Sequence, residues 1–430
     1  MIRNPLYLLI ALGLCLTSYH LHAQDKPVEL RITGLKKTKE RFVKRIAKVK
    51  DGMSIDSTKI IGDVERLKRL DGIAHTTYRI EEQSDRYLVY YEVDENFTII
   101  PGLRIGQASD GSFAFRASLF EFNALGQNVL FGGFYQREVF NSYGIFLESP
   151  YLFTNKLGLG INYQDVTTRQ PVVLPSIGDA AYNFRSQAAE AKLLYEYNFR
   201  NRMEAGVRFF KEEYTIILEE LPLTDIDLST NLTQDTVDKR AIFGSYEHIK
   251  IDLEYHLVRG YRNELFGEVV DGAKRFLNTD YRLQNTTEYF ARIGKKGNWA
   301  NRLQLHWSTP TESPFAPIVV DNQLNIRGSG NIIDRGTAAI FLNTEYRHTF
   351  LEKGWFVIQG NAFVDAGTLR RPGVSVDNLW QNDTARVFPG LGIRLIHKRI
   401  VNAVLRFDYG IGITENFKES GIVFGIGQYF

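Results

Sequence analysis

From Ile99 to the end of the chain, apolar and polar residues alternate one by one in run after run. Period-2 alternation puts successive side chains on opposite faces, so each run predicts a β-strand. The sixth run sets Ala191, Leu193, Tyr195 and Tyr197 against Glu190, Lys192 and Glu196. The eighth sets Ile249, Ile251, Leu253, Tyr255 and Leu257 against His248, Lys250, Asp252, Glu254 and His256. The eleventh sets Leu303, Leu305 and Trp307 against Arg302, Gln304 and His306. Sixteen strands are predicted over 97–430, with no helix among them. Burying such charged rows inside a soluble domain would be costly, whereas a barrel in lipid turns them toward a wet lumen.

The connections between strands alternate in length. Short ones fall at 199–202, 294–297, 351–354 and 397–399, and long polar ones at 169–183, 217–239, 311–336 and 369–384. Outer-membrane barrels have short periplasmic turns and longer outer loops, which fixes the orientation. An even strand count returns the last strand to the side on which the first began.

Residues 25–96 follow a different rhythm. Val28–Ile32 predicts a short strand, and 39–49 a basic amphipathic helix with Phe42, Val43 and Ile46 on its apolar side. Asp56 or Ser57 is placed to cap a second helix that carries the stripe Ile60, Val64, Leu67. Strands at 76–81 and 87–93 follow, giving the order β-α-α-β-β.

Composition narrows the class. The chain has 430 residues, 24% of them charged, and a net charge of +2, which favours neither disorder nor a nucleic-acid partner. Aromatics reach 13%, while the mean hydropathy of −0.22 looks soluble, as barrels do when every second residue faces water. Residues 1–24 read as a secretory leader, with Arg3 before the apolar core Leu6–Leu16 and a cleavage site after Ala23. The single cysteine, Cys15, lies inside that leader, so disulfide and thiolate chemistry are not expected in the mature chain.

Several short motifs sit at strand ends in a fixed order. They are Asn123-Ala-Leu-Gly126, Glu148-Ser-Pro-Tyr151, Ile326-Arg327-Gly328, Asn343-Thr-Glu345-Tyr-Arg347, Phe363-Val-Asp365-Ala-Gly367, Gly390-Leu-Gly-Ile-Arg394 and Leu405-Arg406-Phe-Asp408-Tyr409. In that order the 97–430 region resembles the BamA/TamA-like outer-membrane assembly superfamily, also called the bacterial surface antigen family. The 25–96 unit resembles a single polypeptide-transport-associated (POTRA) domain. The resemblance implies an all-β transmembrane barrel of 16 antiparallel strands behind one small periplasmic α+β domain. It also implies an assembly or translocation factor in the bacterial outer membrane, whose partners are the lipid bilayer, unfolded outer-membrane or secreted polypeptides, and accessory lipoproteins. Two departures stand out: Ser329 replaces an aromatic of the sixth-loop motif, and only one such domain precedes the barrel. A second string, Val258-Arg259-Gly260-Tyr261, matches that motif but falls on the periplasmic side by strand count.

In the family the sixth-loop arginine enters the barrel and pairs with wall carboxylates. Here Arg327 and Gly328 take that part, and alternation turns Glu345 and Asp365 toward the lumen. A planar, forked guanidinium can satisfy two carboxylates at once. Arg394, Arg406 and Asp408 also point inward by alternation and extend the network. The seam between the first and last strands is expected to be weak: Pro101 lacks an N–H, Gly102 follows it, and the final strand, placed at 421–430, contains Gly421, Gly425 and Gly427. Those glycines equally suit a narrow lumen. The family uses this seam as a lateral gate, and the terminal Phe430 resembles a barrel-assembly signal. No metal-type histidine spacing, phosphate loop or nucleophile elbow is present, so no enzyme activity, cofactor or metal is expected. A dedicated secretion channel or a passive outer-membrane pore is the alternative reading.

Overall fold

A computed structural model describes residues 26–107, 113–137, 140–174, 178–218, 234–272, 279–309, 315–320, 324–329, 334–381, 383–400 and 403–430. The predicted leader and Cys15 lie outside the described residues. The N-terminal unit comprises β1 (Val28–Thr33), α1 (Glu40–Ile46), α2 (Ser57–Leu67), β2 (Ile73–Glu82) and β3 (Tyr87–Glu95). Its sheet runs in the order β1-β3-β2, with β1 parallel to β3. The Asp56 carboxylate accepts from the Thr58 and Lys59 N–H groups at 3.0 and 3.1 Å, which caps α2. Helix α1 is shorter than expected, because Ala47 leaves the helix in an extended conformation (ψ 144°). Buried Asp63 explains the break: it accepts from the Lys48 and Val49 N–H groups and from the Tyr91 hydroxyl, tying the chain after α1 to α2. Val28, Phe42, Ile46, Ile60, Leu67 and Val89 close the core.

The remaining strands are β4 (Ile99–Gln107), β5 (Phe113–Ala124), β6 (Val129–Arg137), β7 (Asn141–Ser149), β8 (Leu157–Leu174) and β9 (Gly178–Asn198). Then come β10 (Asn201–Ile216), β11 (Gln234–Glu254), β12 (Leu257–Asp271), β13 (Asp280–Ile293) and β14 (Gly297–Ser308). After a small hairpin of β15 (Ile318–Val320) and β16 (Asp334–Gly336) follow β17 (Ala338–Lys353), β18 (Phe356–Arg370), β19 (Arg386–His397), β20 (Val404–Ile411) and β21 (Ser420–Ile426). All but the hairpin form one 16-stranded sheet in which sequence neighbours pair antiparallel, β14 pairing directly with β17. The hairpin therefore belongs to the sixth long loop. No described helix is long and apolar enough to cross a membrane.

The outward face is apolar across the middle of the sheet. Leu303, Leu305 and Leu342 are exposed there, with Trp299, Tyr289 and Tyr346 toward one end and Trp307 and Tyr281 toward the other. Eight residues separate Trp299 from Trp307, about 27 Å along a strand and about 20 Å along the axis at a typical tilt. That approaches the height of the apolar band of a membrane barrel. Two expectations change. Residues 169–183 are not a loop, since β8 reaches Leu174 and β9 starts at Gly178. The eighth barrel strand, β11, also runs in the opposite phase: Ile242 and Tyr246 are exposed outward and so are Lys250, Asp252 and Glu254, while Ile251 and Leu253 face Glu65, Lys68 and Arg69 of the N-terminal unit. Ile251 and Leu253 thus lie toward the N-terminal unit rather than toward lipid.

The N-terminal unit is fastened under the barrel through the turns between strands. Lys39 N–H donates to Gly126 O at 2.9 Å, and the Asn123 amide donates to Thr38 Oγ1 at 2.9 Å. Tyr151 packs into the unit's core, its carbonyl accepting from Arg45 and its hydroxyl donating to Glu196 Oε2 at 2.7 Å. Buried Arg66 pairs with the other oxygen of Glu196, and Arg69 lies over the Phe199 ring at 4.2 Å. His75 stacks on Tyr255 at 5.3 Å. The two strand-end motifs at 123–126 and 148–151 are thus docking elements. Burial at this junction, reinforced by Glu148, pushes the Asp71 carboxyl up to about 6. An acid whose pKa rises on docking is bound more tightly when protonated, so docking should strengthen as pH falls from about 7 toward about 4, with the full cost present above about 6. Spin labels at Asp85→Cys and Asn155→Cys should report a narrower distance distribution at pH 5 than at pH 7.5. Asp71→Asn should remove that difference; if the pH response persists, another group controls the junction.

Candidate functional site

Loop residues 324–329 lie inside the barrel against β17, β18 and β20. Arg327 has 0% exposure. Its main-chain N–H and its Nε donate to Asp365 Oδ2 at 2.9 and 2.8 Å, and one terminal nitrogen donates to Asp365 Oδ1 at 3.0 Å. The other donates to Glu345 Oε2 at 2.6 Å and lies 3.5 Å from Asp408 Oδ2. The guanidinium plane stacks on Phe363, 3.7 Å from the ring centroid. Glu345 is shared further: Arg394 donates to both its oxygens at 3.1 Å, and Arg347 pairs with Oε1. Arg406 approaches Asp408 at 3.8 Å, and Asn361 donates to the same carboxylate. Every residue expected to form the network is buried in one cluster.

Backbone contact makes this depth of insertion possible. Gly328 has φ +95°, and a Cβ there would lie 2.7 Å from the Gly410 backbone; a Cβ on Gly410 would lie 2.5 Å from Arg327 O. Two glycines therefore let the loop pass main chain to main chain over β20. Ser329 does not leave the loop loose, since its hydroxyl donates to Ile326 O at 2.9 Å and the residue is buried. The competing Arg259 sits at the start of β12 opposite Asp252 and is exposed.

The chain end joins the same cluster, which the alternation pattern did not indicate. The outward row Ile422, Phe424, Ile426 stops with β21, and Gly427 turns the chain inward at φ +94°. Gln428 accepts from Arg394 Nε at 3.1 Å. Tyr429 is buried, with Arg327 at 4.2 Å on its ring and Arg302 and Arg406 each at 4.8 Å. Phe430 lies under Arg302 and Arg347, and its main-chain oxygen accepts from Arg347 at 2.8 Å. Phe430 is therefore not part of the outward row. Arg302, which belongs to none of the strand-end motifs, bridges loop and tail by donating to Leu324 O, Asn343 Oδ1 and Tyr429 O. Its place opposite Asn343 in the β14–β17 register was the available signal.

At the seam, β4 and β21 are the two ends of the sheet, and no ladder joins them among the described residues. Pro101 is exposed on β4. On β21, Gly421 pairs with Gly410, and Gly425 leaves room for Arg406, whose Nε would meet an added Cβ at 2.5 Å. Below the seam the linker is clipped, Phe97 N–H donating to Arg399 O at 2.9 Å.

These features define a 16-stranded barrel holding one loop and its own chain end against a charged wall. The fold is that of BamA and CdiB. BamA from Haemophilus ducreyi lacking POTRA domains 1–3 matches at 14% identity over 93% of this chain and 84% of that one, with a TM-score of 0.51. CdiB from Acinetobacter baumannii matches at 14% identity over 94% and 74%, TM-score 0.59, and CdiB from Escherichia coli at 12% over 93% and 75%, TM-score 0.61. No family model and no curated protein sequence matches the chain.

Two outcomes follow from the cluster. Arg327→Ala leaves Glu345, Asp365 and Asp408 facing excess desolvation, and should cost about 3–5 kcal/mol, less where water enters. The loop should become protease-sensitive and the folded band should lose heat resistance on gels, whereas Arg259→Ala should behave as wild type; equal behaviour would refute the special role of Arg327. Tyr429→Ala removes a ring shared by several cations and should lower the urea midpoint by an amount equivalent to about 1–2 kcal/mol. An unchanged midpoint would show that the tail does not brace the loop.

Proposed function

We propose that this chain is an outer-membrane assembly or translocation factor, which inserts polypeptides into the membrane or passes them across it through a barrel with a lateral seam. The observation that carries the reading is a seam at which no ladder joins β4 to β21 among the described residues, beside a buried loop latch. Arg327 and Gly328, with Glu345, Asp365, Arg394, Arg406 and Asp408, hold the sixth loop on the wall formed by β17–β20. That wall ends in β21, so the latch stiffens the side of the barrel next to the seam. Of the residues expected at the seam, Pro101 and Gly102 lie on β4 and Gly421 and Gly425 on β21, where they add little side-chain packing, whereas Gly427 lies past β21 and donates its N–H to Val404 O. An arriving strand could add to either free edge by β-augmentation, where main-chain hydrogen bonds give affinity and sequence matters little. The N-terminal unit is a POTRA domain in this reading, placed in the periplasm, where its free strand edges can meet extended segments. Accessory lipoproteins are natural partners for such a unit.

A dedicated secretion channel is the second reading, and one observation favours it. On the wall opposite the latch, Glu204, Arg208, Arg262 and Glu264 are each about a third exposed (30–34%), with their partners Glu190, Glu268 and Glu288 more deeply set. A chain could pass along that hydrated side without opening the seam.

A disulfide across the seam separates the two. Ile99→Cys combined in turn with Ile422→Cys, Phe424→Cys or Ile426→Cys samples the possible registers, since Cα atoms must come within roughly 4.4–6.8 Å. Locked protein should lose function in a depletion strain and recover it with reductant. Locked protein that still complements, with loss of one secreted protein rather than many barrel proteins on depletion, would favour the channel.

A further inference from the structure

The lower rim of the barrel carries more positive charge than the fold uses. Between Lys36 and Lys50 the chain has eight Lys or Arg residues and one acid, Glu40. Four of the eight are engaged: Lys37 with Glu121, Lys44 with Glu40, Arg45 with the Tyr151 carbonyl, and Lys50 with the carbonyls of Lys44 and Arg45. Lys36, Lys39, Arg41 and Lys48 are exposed, and their side chains meet no acid or carbonyl among the described residues.

The position of this segment is fixed by its partners. Glu121 lies opposite Phe131 in the β5–β6 register, and Phe131 is 54% exposed on the outer wall. Lys37, by pairing with Glu121, is therefore held on the lipid-facing side of the barrel rather than over its lumen. Lys39 is tied to the next turn through Gly126, and that turn presents Leu125, 71% exposed and in the left-handed region at φ 58°. Arg45 is tied to Tyr151, which is followed by exposed Leu152 and Phe153. Three bulky apolar side chains thus project at the rim, next to four unpaired cations. Apolar groups at the acyl boundary with cations at phosphate depth form an interfacial anchor. An acidic peptide or nucleic acid would use the cations but leave Leu125, Leu152 and Phe153 exposed.

We propose that this face binds the anionic phospholipid headgroups of the leaflet nearest the N-terminal unit, with Lys36, Lys39, Arg41 and Lys48 on the phosphates and Leu125, Leu152 and Phe153 among the upper acyl chains. The proposal rests on the barrel spanning a bilayer and not on what it transports. It gives the docked unit a second support, from lipid as well as from the strand turns.

The chain beyond Cys15 has no cysteine, so a bimane on Leu152→Cys is a single reporter. The full protein is placed in mixed vesicles in which either the phosphatidylglycerol or the phosphatidylcholine carries bromine. Each cation near an anionic surface contributes up to about fivefold in local attraction, before screening. Brominated phosphatidylglycerol should therefore quench the reporter at least about twofold more than brominated phosphatidylcholine, and the preference should vanish in K36Q/K39Q/R41Q/K48Q with heat-resistant mobility retained. Equal quenching by the two lipids, or a preference that survives the fourfold substitution, overturns the proposal. A preference abolished by inorganic phosphate at constant ionic strength assigns the site to a free anion and overturns the membrane assignment. A chain that does not insert at all refutes the barrel reading instead.

Discussion

The structure depends on keeping one guanidinium satisfied without water. Arg327 has no exposed surface, and isolated burial of such a charge would cost several kcal/mol. The surrounding architecture reads as the means of avoiding that cost. Asp365 on β18, Glu345 on β17 and Asp408 on β20 supply carboxylates from three strands, so the cation fixes their spacing as much as they fix its position. Arg347, Arg394 and Arg406 then prevent those carboxylates from carrying uncompensated charge. Rings on both sides, Phe363 and Tyr429, exclude water from the guanidinium faces. A network of this kind is high in stakes: complete, it rigidifies one arrangement, and incomplete, it favours another.

Much of this was legible in the residue order, for a physical reason. Barrel strands obey a strict period of two, so the lumen register of Glu345, Asp365, Arg394, Arg406 and Asp408 followed directly from their neighbours. Strand count separates the loop arginine from Arg259, and Arg327 is buried where Arg259 is exposed. What alternation could not convey was where a strand leaves the membrane. The eighth barrel strand shows the cleanest pattern of all, yet Ile251 and Leu253 lie toward the end of α2 in the N-terminal unit, across a small cavity from Glu65, Lys68 and Arg69. Apolar side chains look the same to the pattern whether lipid or protein covers them. The inward turn after Ile426 was also hidden, because it rests on a single positive φ at Gly427 and on aromatic contacts remote in sequence.

The barrel is asymmetric around its circumference. Strands β17–β20 are backed by loop and tail and carry fully buried charges, whereas on the facing wall Arg208, partly exposed, reaches the more buried Glu190 and Glu268. The N-terminal unit follows the same division, since its contacts fall on the turns joining β5 through β12. Rigid packing therefore lies on both sides of the seam, from above through the loop and from below through the unit, while the seam itself is left thin. Below the seam, Phe97 of the linker is clipped to Arg399 in the turn between β19 and β20.

The contact of Gly328 with Gly410 also sets an order of events. The loop cannot be seated until β20 exists to receive it, and β20 lies within the final 27 residues of the sequence. Tyr429, which covers the same arginine, arrives later still when the chain is made from its N-terminus. Without β20, Arg327 has at most two of its three carboxylates and no glycine neighbour to pass over. The charged cluster thus closes only when β17, β18, β20 and the segment after β21 share one wall, which makes it a check on the assembled barrel rather than on any one strand.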